Sequence, residues 1–489
     1  MSDLDPGICR PGRSLETCQV CEPMEQPAAL PGLRASLAAA WRRVLDPDGL
    51  NAQVLHLAWP AIAEQLLQTM LSITTMIMLG RLGTEAIASM GVANQFIFLM
   101  MPIWGSVSVG TVALVARRVG AGDWAGASRV AKQSVLIGLL LGLGLGVISI
   151  FLAKPLVQLI GAPAELVEPA ALVLRITGGL AVLPVVMFIV SGALRGAGDT
   201  RTPMYITASI NVLNLAVAYV LIFGVTGVVP ALGIAGAAWA SVVARAVGFL
   251  ALLVLLFRGR SGLRIAWRTS WRIDRQLLGS LLNISLPAAA EQFLVTFGMM
   301  LMSIMVVRMG TAPYAAHQVA MQIEAISIMP CFGFAVAAST LIGQHLGAGK
   351  PQKAEASGWA AVRMGIFWTS LMGLVFFLFS PAMVRVFSTD ATVVFWGALC
   401  LRIIAAGEPV QAFGFITAGG LRGAGDTRWT LRATLAGMWF LRLPLTYVLA
   451  YPVGWGVAGV WVAMFADHLV RDALLLRRYL SGKWKGIAV

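Results

Sequence analysis

Long apolar stretches, separated by short charged or Gly/Pro-rich breaks, follow one another from about residue 50 to the end of the chain. Each stretch reaches the roughly 20 residues that an α-helix needs to cross a bilayer. Because these stretches are apolar throughout and do not alternate with polar residues, they predict helices and exclude the strands of a membrane barrel. The twelve predicted spans begin near Val54, Ala86, Ala127, Leu166, Thr202, Ala231, Leu281, Pro313, Ala354, Val393, Trp429 and Gly456.

The composition supports a bilayer environment, since 58% of the 489 residues are hydrophobic and 12% are charged. Soluble proteins carry about 25% charged residues. Of the 36 Lys and Arg residues, 27 lie in the two tails and the even-numbered loops, and four lie in the odd-numbered loops. Short loops rich in Lys and Arg stay in the cytoplasm. We therefore expect cytoplasmic termini, and the net charge of +14 reports topology and does not indicate a nucleic-acid partner.

An internal repeat organises the chain. The eight residues Leu194–Arg201 recur unchanged as Leu421–Arg428, at an offset of 227 residues. The same offset relates Pro60 to Pro287 and pairs other identical residues along both halves. Because each half has an even number of spans, both halves enter the membrane from the same side and form parallel repeats. We therefore predict an all-α polytopic membrane protein with 12 transmembrane helices in two parallel six-helix lobes.

Four parts of the chain follow from this pattern. They are a cytosolic, disordered tail (1–50), a first six-helix lobe (51–257), a basic cytoplasmic linker (258–280) and a second lobe with a short cytosolic tail (281–489). Three of the five cysteines lie in the tail, where they are too few and too scattered to predict a disulfide framework or a metal site.

Ionisable side chains inside the spans are the first candidates for function, because each is costly in hydrocarbon and rare unless it is functional or paired. Five acidic residues lie well inside predicted helices: Glu64, Glu291, Glu324, Glu408 and Asp467. Polar side chains along the same helices extend the candidate site. Gln68, Ser72 and Thr75 share one face of the first helix with Glu64, and Gln292 belongs to a weaker polar stripe, with Thr296 and Ser303, beside Glu291 on the seventh.

Two interpretations of these carboxylates stay open. They bind a coupling proton or sodium ion and a cationic substrate, or they hold helices together by hydrogen bonds. Glu64 and Glu291 are repeat mates, which fits either interpretation. Glu324 and Glu408 have no acidic counterpart in the first half, and this asymmetry favours function. For Asp467 we expect a structural ion pair with an arginine such as Arg245 or Arg471.

Two parallel lobes around a central axis suit the alternating access of a secondary transporter. The sequence contains no Gly-x-x-x-x-Gly-Lys-Ser/Thr motif for ATP and no His-Glu-x-x-His metal motif. We therefore expect a transporter driven by an ion gradient, without enzyme activity, cofactor or metal. The rivals are a flippase for lipid-linked precursors, which should carry clustered basic residues in its cleft, a major-facilitator exporter, whose loop signature is missing, and a membrane-embedded enzyme.

Several motifs taken together resemble those of the multidrug and toxic compound extrusion (MATE) antiporters. They are the duplicated Leu194–Arg201 sequence, Leu79–Gly83 at the end of the first helix, Gly120–Gly122 with Gly347–Gly349, and Ala315–Gln318. The resemblance covers about residue 52 to the end. It implies a V-shaped pair of lobes in a bacterial inner membrane, a monomer, and export of amphiphilic or cationic small molecules in exchange for H⁺ or Na⁺.

The resemblance also bears on individual positions. Many family members carry an aspartate at the position of Thr75, and NorM-type members carry carboxylates at the positions of Val295 and Gln411. This chain has Glu291 one helical turn before Val295 and Glu408 three residues before Gln411. The resemblance therefore implies that the carboxylates are kept but displaced, with Gln411 as a polar member of the site.

Overall fold

The computed structural model describes residues 49–159, 161–225, 230–264 and 272–487. The chain from Leu50 onward forms one compact unit, and the elements of the described residues are helices. The predicted cytosolic tail lies outside the described residues up to residue 48, and so does the middle of the predicted basic linker.

The first half consists of seven α-helices in the described ranges. They are α1 (Leu50–Gly80), α2 (Thr84–Gly120), α3 (Trp124–Leu159), α4 (Ala164–Gly179), α5 (Val182–Gly196), α6 (Arg201–Phe223) and α7 (Gly233–Arg258). A short 3-10 turn, Arg260–Gly262, follows α7.

The second half repeats this order with one irregular element. Its helices are α8 (Arg275–Val307), α9 (Thr311–Gly347), α10 (Pro351–Arg385), α11 (Ala391–Ala405), α12 (Glu408–Gly423), α13 (Thr427–Thr434), α14 (Leu443–Ala450) and α15 (Gly456–Leu480). Between α13 and α14 lies a π-helical segment, Leu435–Arg442, and a 3-10 turn, Lys483–Gly486, follows α15.

The described residues contain nine helices long and apolar enough to cross a membrane, or eleven if two bent helix pairs each count as one span. The remaining candidate is α15, which is 25 residues long but carries Asp467, Asp472 and three arginines. The chain is thus a multi-pass, all-helical membrane protein, and the count of twelve spans stays a prediction.

The two bent pairs occupy equivalent places in the repeat. The axes of α4 and α5 differ by 45°, and those of α11 and α12 differ by 60°. Glycine lies at both breaks, Gly179 in the first half and Gly407 in the second. Glycine weakens a helix interior, and sharp helix bends commonly occur at such residues. The second break makes Glu408 the first residue of a new helix, α12, in the middle of the fourth span of the second lobe.

The duplicated eight-residue motif ends the fourth span of each half in the same way. Gly198 and Gly425 adopt positive φ angles of 94° and 89°, which only glycine reaches without strain. In each copy the glycine and aspartate amides donate to carbonyls of the last helical turn, as Asp199 N does to Leu194 O at 2.9 Å. This glycine cap satisfies carbonyls that the helix end leaves free.

The aspartates of the two motif copies bind different neighbouring elements. Asp199 accepts hydrogen bonds from the hydroxyls of Thr202 and Ser261, so the first copy is tied to the 3-10 turn after α7. Burial alone would raise the pKa of Asp199, but these hydrogen bonds hold it below its usual value. Asp426 in the second copy pairs instead with Arg478 of α15 at 2.6 Å.

The two lobes are in backbone contact where α2 and α9 end, which we call the turn end of the bundle. A Cβ atom added to Gly120 would lie 1.9 Å from the carbonyl oxygen of Gln344, and one added to Gly347 would lie 2.0 Å from that of Arg117. Arg117 and Gln344 are themselves repeat mates, so one contact occurs twice about a pseudo-twofold axis. Glycine is needed here because the two helix backbones touch.

Polar contacts reinforce the turn end across the lobes. Arg117 donates to the carbonyl of Ala424 at 3.2 Å, and Gln344 donates to the carbonyl of Gly196 at 3.0 Å. The hydroxyl of Thr340 donates to the carbonyl of Arg195 at 3.0 Å. Each lobe therefore binds the end of the other lobe's motif helix.

Gly120→Val and Gly347→Val should each separate the lobes at the turn end, because the new side chain meets backbone atoms that cannot rotate away. Overpacking of this kind costs about 1–3 kcal/mol, which corresponds to roughly 5- to 150-fold in an equilibrium. A cysteine introduced at the buried Thr340, with the native cysteines replaced by serine, should react with a maleimide faster by about that factor.

Gly91→Val is the matched control, since no atom lies within 4 Å of the position its Cβ would take. Equal labelling rates in Gly91→Val and Gly347→Val would show that the lobes are not held together by this contact.

Candidate functional site

The first buried carboxylate of each lobe is paired with the arginine of the duplicated motif. Glu64 of α1 accepts from Arg195 Nη2 at 2.9 and 3.1 Å. Glu291 of α8 accepts from Arg422 Nη2 at 2.6 Å and from its Nε at 3.3 Å. Both glutamates are 5% exposed. Since all four residues are related by the repeat, the motif joins the first span of each lobe to its fourth.

Glu291 has further partners on the fifth span of its lobe. The hydroxyl of Thr430 donates to it at 2.7 Å and that of Thr434 at 3.4 Å. A charge buried between helices is stable only when it is paired and hydrogen-bonded in this way. The ion pair and the two hydroxyl donors favour the scaffold interpretation for Glu291, and the ion pair with Arg195 favours it for Glu64.

The other two carboxylates form a separate group inside the second lobe. Glu324 of α9 is 2% exposed and Glu408 of α12 is 0% exposed. Ser327 donates to Glu408 at 2.5 Å, and Gln411 donates to Glu324 at 3.1 Å. Ser327 lies three residues after Glu324, and Gln411 lies three residues after Glu408, so these two hydrogen bonds bring the carboxylates to the same contact between α9 and α12. In the described part of the chain, no basic side chain makes an ion pair with either one.

The bend in the fourth span explains how this group is positioned. Because α12 begins at Glu408, the free amides and positive dipole end of the helix lie at this carboxylate. Glu408 Oε1 and Gln411 Oε1 are buried and have no hydrogen-bond partner. Two ionised carboxylates repel each other when they are buried without a cation, and this makes the group of Glu324 and Glu408 the candidate ion site.

The first lobe has no equivalent group. At the 227-residue offset the counterparts of Glu324 and Glu408 are Ile97 and Ala181. The asymmetry that the sequence indicated therefore corresponds to a real difference between the lobes: one contains unpaired buried carboxylates and the other contains apolar side chains at those positions.

In the described residues, the remaining predicted site residues make no hydrogen bond to the four carboxylates. Gln68 and Gln292 are exposed on α1 and α8. The hydroxyl of Thr75 donates to the carbonyl of Leu71 in its own helix at 2.9 Å. Among the hydrogen bonds of the described residues, only Gln411 connects a predicted polar residue to a predicted carboxylate.

The expectation that Asp467 pairs with an arginine is confirmed, but the partner is neither Arg245 nor Arg471, the two examples suggested by the sequence. Asp467 of α15 lies 3.1 Å from Arg442 Nε, whereas Arg471 contacts His468 and Asp472. The irregular π-helical segment that carries Arg442 cannot be read from an apolar run. The sequence nevertheless contained one signal. Arg442 lies in the middle of the eleventh predicted span, and a basic residue at such a position needs a buried partner.

Glu291→Ala and Arg422→Ala should each lower the free energy of unfolding by about 3–5 kcal/mol, because each leaves one charge buried without its counter-ion. Thermal unfolding of the purified protein in detergent measures this loss. Glu291→Gln combined with Arg422→Gln should recover part of it.

Arg428→Ala supplies the control within the same motif, because Arg428 makes an exposed hydrogen bond to Asn283 and should change stability little. If Arg422→Ala unfolds at the same temperature as Arg428→Ala, the ion pair does not hold the lobe together.

Comparison with known families recognises each half separately. The family model described as MatE matches residues 60–220 and again residues 287–448. The two matched segments begin 227 residues apart and together cover more than half of the chain, which confirms the repeat found in the sequence.

Similar proteins span nearly the whole chain. A probable multidrug resistance protein NorM of Thermotoga maritima is 29% identical over 451 residues, 90% of this chain and 94% of that protein. An uncharacterized transporter, YisQ, of Bacillus subtilis is 27% identical over 450 residues, 90% of this chain and 97% of that protein. A crystal structure of MATE in the bent conformation matches with a TM-score of 0.83 at 23% identity, covering 90% of this chain and 98% of that one. The family match and these relatives show that the chain belongs to the MATE family of membrane transporters.

Proposed function

We propose that this protein is a secondary active antiporter that exports organic cations and related amphiphilic drugs across the bacterial cytoplasmic membrane in exchange for protons. The observation that carries the proposal is the buried, unpaired carboxylate group of Glu324 and Glu408, present in one lobe of a duplicated transporter. The names of relatives as multidrug resistance proteins support the class of substrate.

The contact between the lobes at the turn end is the part of the structure that moves in the proposed transport cycle. The turn end carries basic loops, which supports a cytoplasmic location for it. In that orientation, the described arrangement, with Gly120 and Gly347 in backbone contact across the lobes, is closed toward the cytoplasm. Alternating access requires that this contact separates while the lobes rock about the central site.

In the proposed cycle, the carboxylate group of Glu324 and Glu408 couples proton entry to drug export. A proton entering from outside neutralises the pair, and its release leaves a negative charge that attracts a cationic drug. Glu64 and Glu291 serve the scaffold, because their arginines already neutralise them. A sodium ion is the alternative: the carboxylates, Ser327 and the free oxygen of Gln411 are oxygen ligands, which hard cations prefer.

The flippase alternative is less well supported. A pyrophosphate site needs free positive charge in the cleft. Arg195 and Arg422 are neutralised by glutamates, and Arg442 lies beside Asp467. Arg422 and Arg442, the two arginines of the second lobe that lie beside Glu291 and Asp467, are therefore already paired with carboxylates of this chain.

Purified protein in liposomes should export a cationic dye when a proton gradient is imposed. A proton gradient without sodium should drive dye transport. The pH of the liposome lumen should change at the same time, because protons move in the direction opposite to the dye. A sodium gradient alone should drive no transport, and sodium-driven transport at constant pH would contradict proton coupling.

Glu324→Gln and Glu408→Gln should each lower proton-driven transport by about tenfold or more, since a neutral amide cannot exchange a proton. Glu165→Gln, an exposed residue of α4, is the matched control and should transport normally. Normal coupling in both Glu324→Gln and Glu408→Gln would remove the carboxylate group from the mechanism.

A further inference from the structure

A cavity lies between the last two turns of α8 and the end of α14. Its volume is about 520 Å³, within the range of roughly 300–1,000 Å³ that is typical of small-molecule sites. Its lining consists of Leu301, Ile304, Met305, Arg308, Tyr447 and Tyr451. These residues belong neither to the carboxylate group nor to the glutamate–arginine pairs, so the proposed transport chemistry does not account for the cavity.

The cavity lies where the first span of the second lobe ends. Arg308 directly follows α8 and is one of the four basic residues in the odd-numbered loops, against 27 in the tails and the even-numbered loops. This distribution predicts that Arg308 lies at the outer surface of the membrane. The helix rises about 10 Å from Leu301 to Arg308. In the predicted orientation, the cavity therefore extends from the outer interface into the hydrocarbon of the outer leaflet.

Two tyrosines form one wall of the cavity. Met309 N donates to the carbonyl of Val306 at the end of α8, so the carbonyl of Met305 lacks its usual partner in the helix. The hydroxyl of Tyr451 donates to this carbonyl at 2.7 Å, which satisfies a group that the helix end leaves free. The ring of Tyr447 lies 5.5 Å from that of Tyr451. A hydrogen bond therefore attaches this aromatic wall to α8.

The lining combines apolar side chains with free hydrogen-bond donors. Ile304 is 45% exposed and Tyr447 is 56% exposed, so the described part of the chain leaves both open. Among the described residues, no carboxylate forms an ion pair with Arg308. In the same part of the chain, neither the Arg308 side chain nor the Tyr447 hydroxyl has a hydrogen-bond partner.

We propose that this cavity binds a phospholipid of the outer leaflet through its phosphate group. An acyl chain lies along Leu301 and Ile304, and the phosphate accepts hydrogen bonds from Arg308 and Tyr447. A guanidinium is well suited to phosphate, because its planar array of donors matches the phosphate oxygens. Tyrosine is enriched at the level of the lipid headgroups. The positive charge of Arg308 repels a cationic drug, which distinguishes this cavity from the proposed substrate site.

The first lobe has the arginine without the aromatic wall. At the 227-residue offset, Arg81 is the counterpart of Arg308, whereas Val220 and Gly224 occupy the positions of the two tyrosines. Arg81 is exposed, as Arg308 is. Both arginines follow the first span of a lobe and carry the same charge. Arg81 therefore provides the matched control for any general attraction between a surface arginine and an anionic lipid.

Photolabelling of the purified full-length protein in detergent tests the proposal. The probe is a phosphatidylglycerol with a photoreactive group in one acyl chain, and the measurement is the labelling of the peptides around 301–308 and 447–451 as the probe concentration rises. Arg308→Gln should raise the half-saturating concentration by about tenfold or more, because a charge-assisted hydrogen bond to phosphate is lost. Arg81→Gln should label like the wild-type protein.

Competition identifies the part of the lipid that is recognised. Unlabelled phosphatidylglycerol should suppress the labelling. Diacylglycerol with the same acyl chains should compete at least tenfold more weakly, because it has no phosphate. Inorganic phosphate should not compete, because it cannot occupy the apolar part of the cavity. Equal competition by diacylglycerol would overturn phosphate recognition, and full competition by inorganic phosphate would show a site for free anions instead of a lipid site.

The variants also decide the role of the cavity. Unchanged labelling in Arg308→Gln, or the same loss in Arg81→Gln and Arg308→Gln, would overturn the proposal. If Arg308→Gln does not fold, Tyr447→Phe carries the test, since it removes one exposed hydroxyl and should raise the half-saturating concentration by about threefold. No rise in Tyr447→Phe would then overturn the proposal. None of these variants changes Glu324 or Glu408, so their failure is distinguishable from failure of the proton-coupled function.

Discussion

The cost of a buried charge determines how this structure is arranged. A carboxylate between membrane helices has to be paired, hydrogen-bonded or protonated. Glu64 and Glu291 meet this requirement with an arginine each. Glu324 and Glu408 lack an ion-pair partner among the described residues, although both are buried. The first pair of glutamates therefore joins helices through ion pairs, whereas the second has no such pair to break, which is why we propose that it changes its charge state during transport.

The repeat separates these two roles. Features that occur in both lobes, such as the glutamate–arginine pairs, the glycine caps and the Gly120–Gly347 contacts, hold each lobe together or hold the lobes against each other. Features confined to the second lobe, the carboxylate group and the π-helical segment, bring ionisable groups together. In the proposed function, the duplicated bundle provides two similar lobes, and the asymmetry of the second lobe provides the ionisable group that couples their movement to an ion.

Much of the fold could be predicted from the sequence, because apolar runs and turn residues are local signals. The predicted start near Thr202 lies one residue from the start of α6, and Gly456 begins α15 as predicted. The pairing of Arg195 with Glu64 was not predicted, although both residues belong to duplicated motifs. It depends on how the first and fourth spans pack across 131 residues of sequence.

The arrangement around Asp467 could not be derived in this way. Its partner Arg442 comes from a helix with a widened turn, and a regular 3.6-residue period misplaces side chains beyond such a turn. Likewise, the bend before Glu408 decides that this carboxylate lies at a helix N-terminus. The asymmetry of Glu324 and Glu408 was visible in the sequence, but the lack of a basic partner required the structure.

The central claim is that the carboxylate group of Glu324 and Glu408 exchanges a proton for a cationic substrate. The most direct measurement is the proton release that accompanies substrate binding to the purified protein, followed with a pH indicator in weak buffer. Linkage predicts about one proton released for each cationic dye bound, at a pH where the group holds its proton. If the wild-type protein binds the dye without releasing a proton, and with an affinity independent of pH, the claim of proton exchange at this group is contradicted.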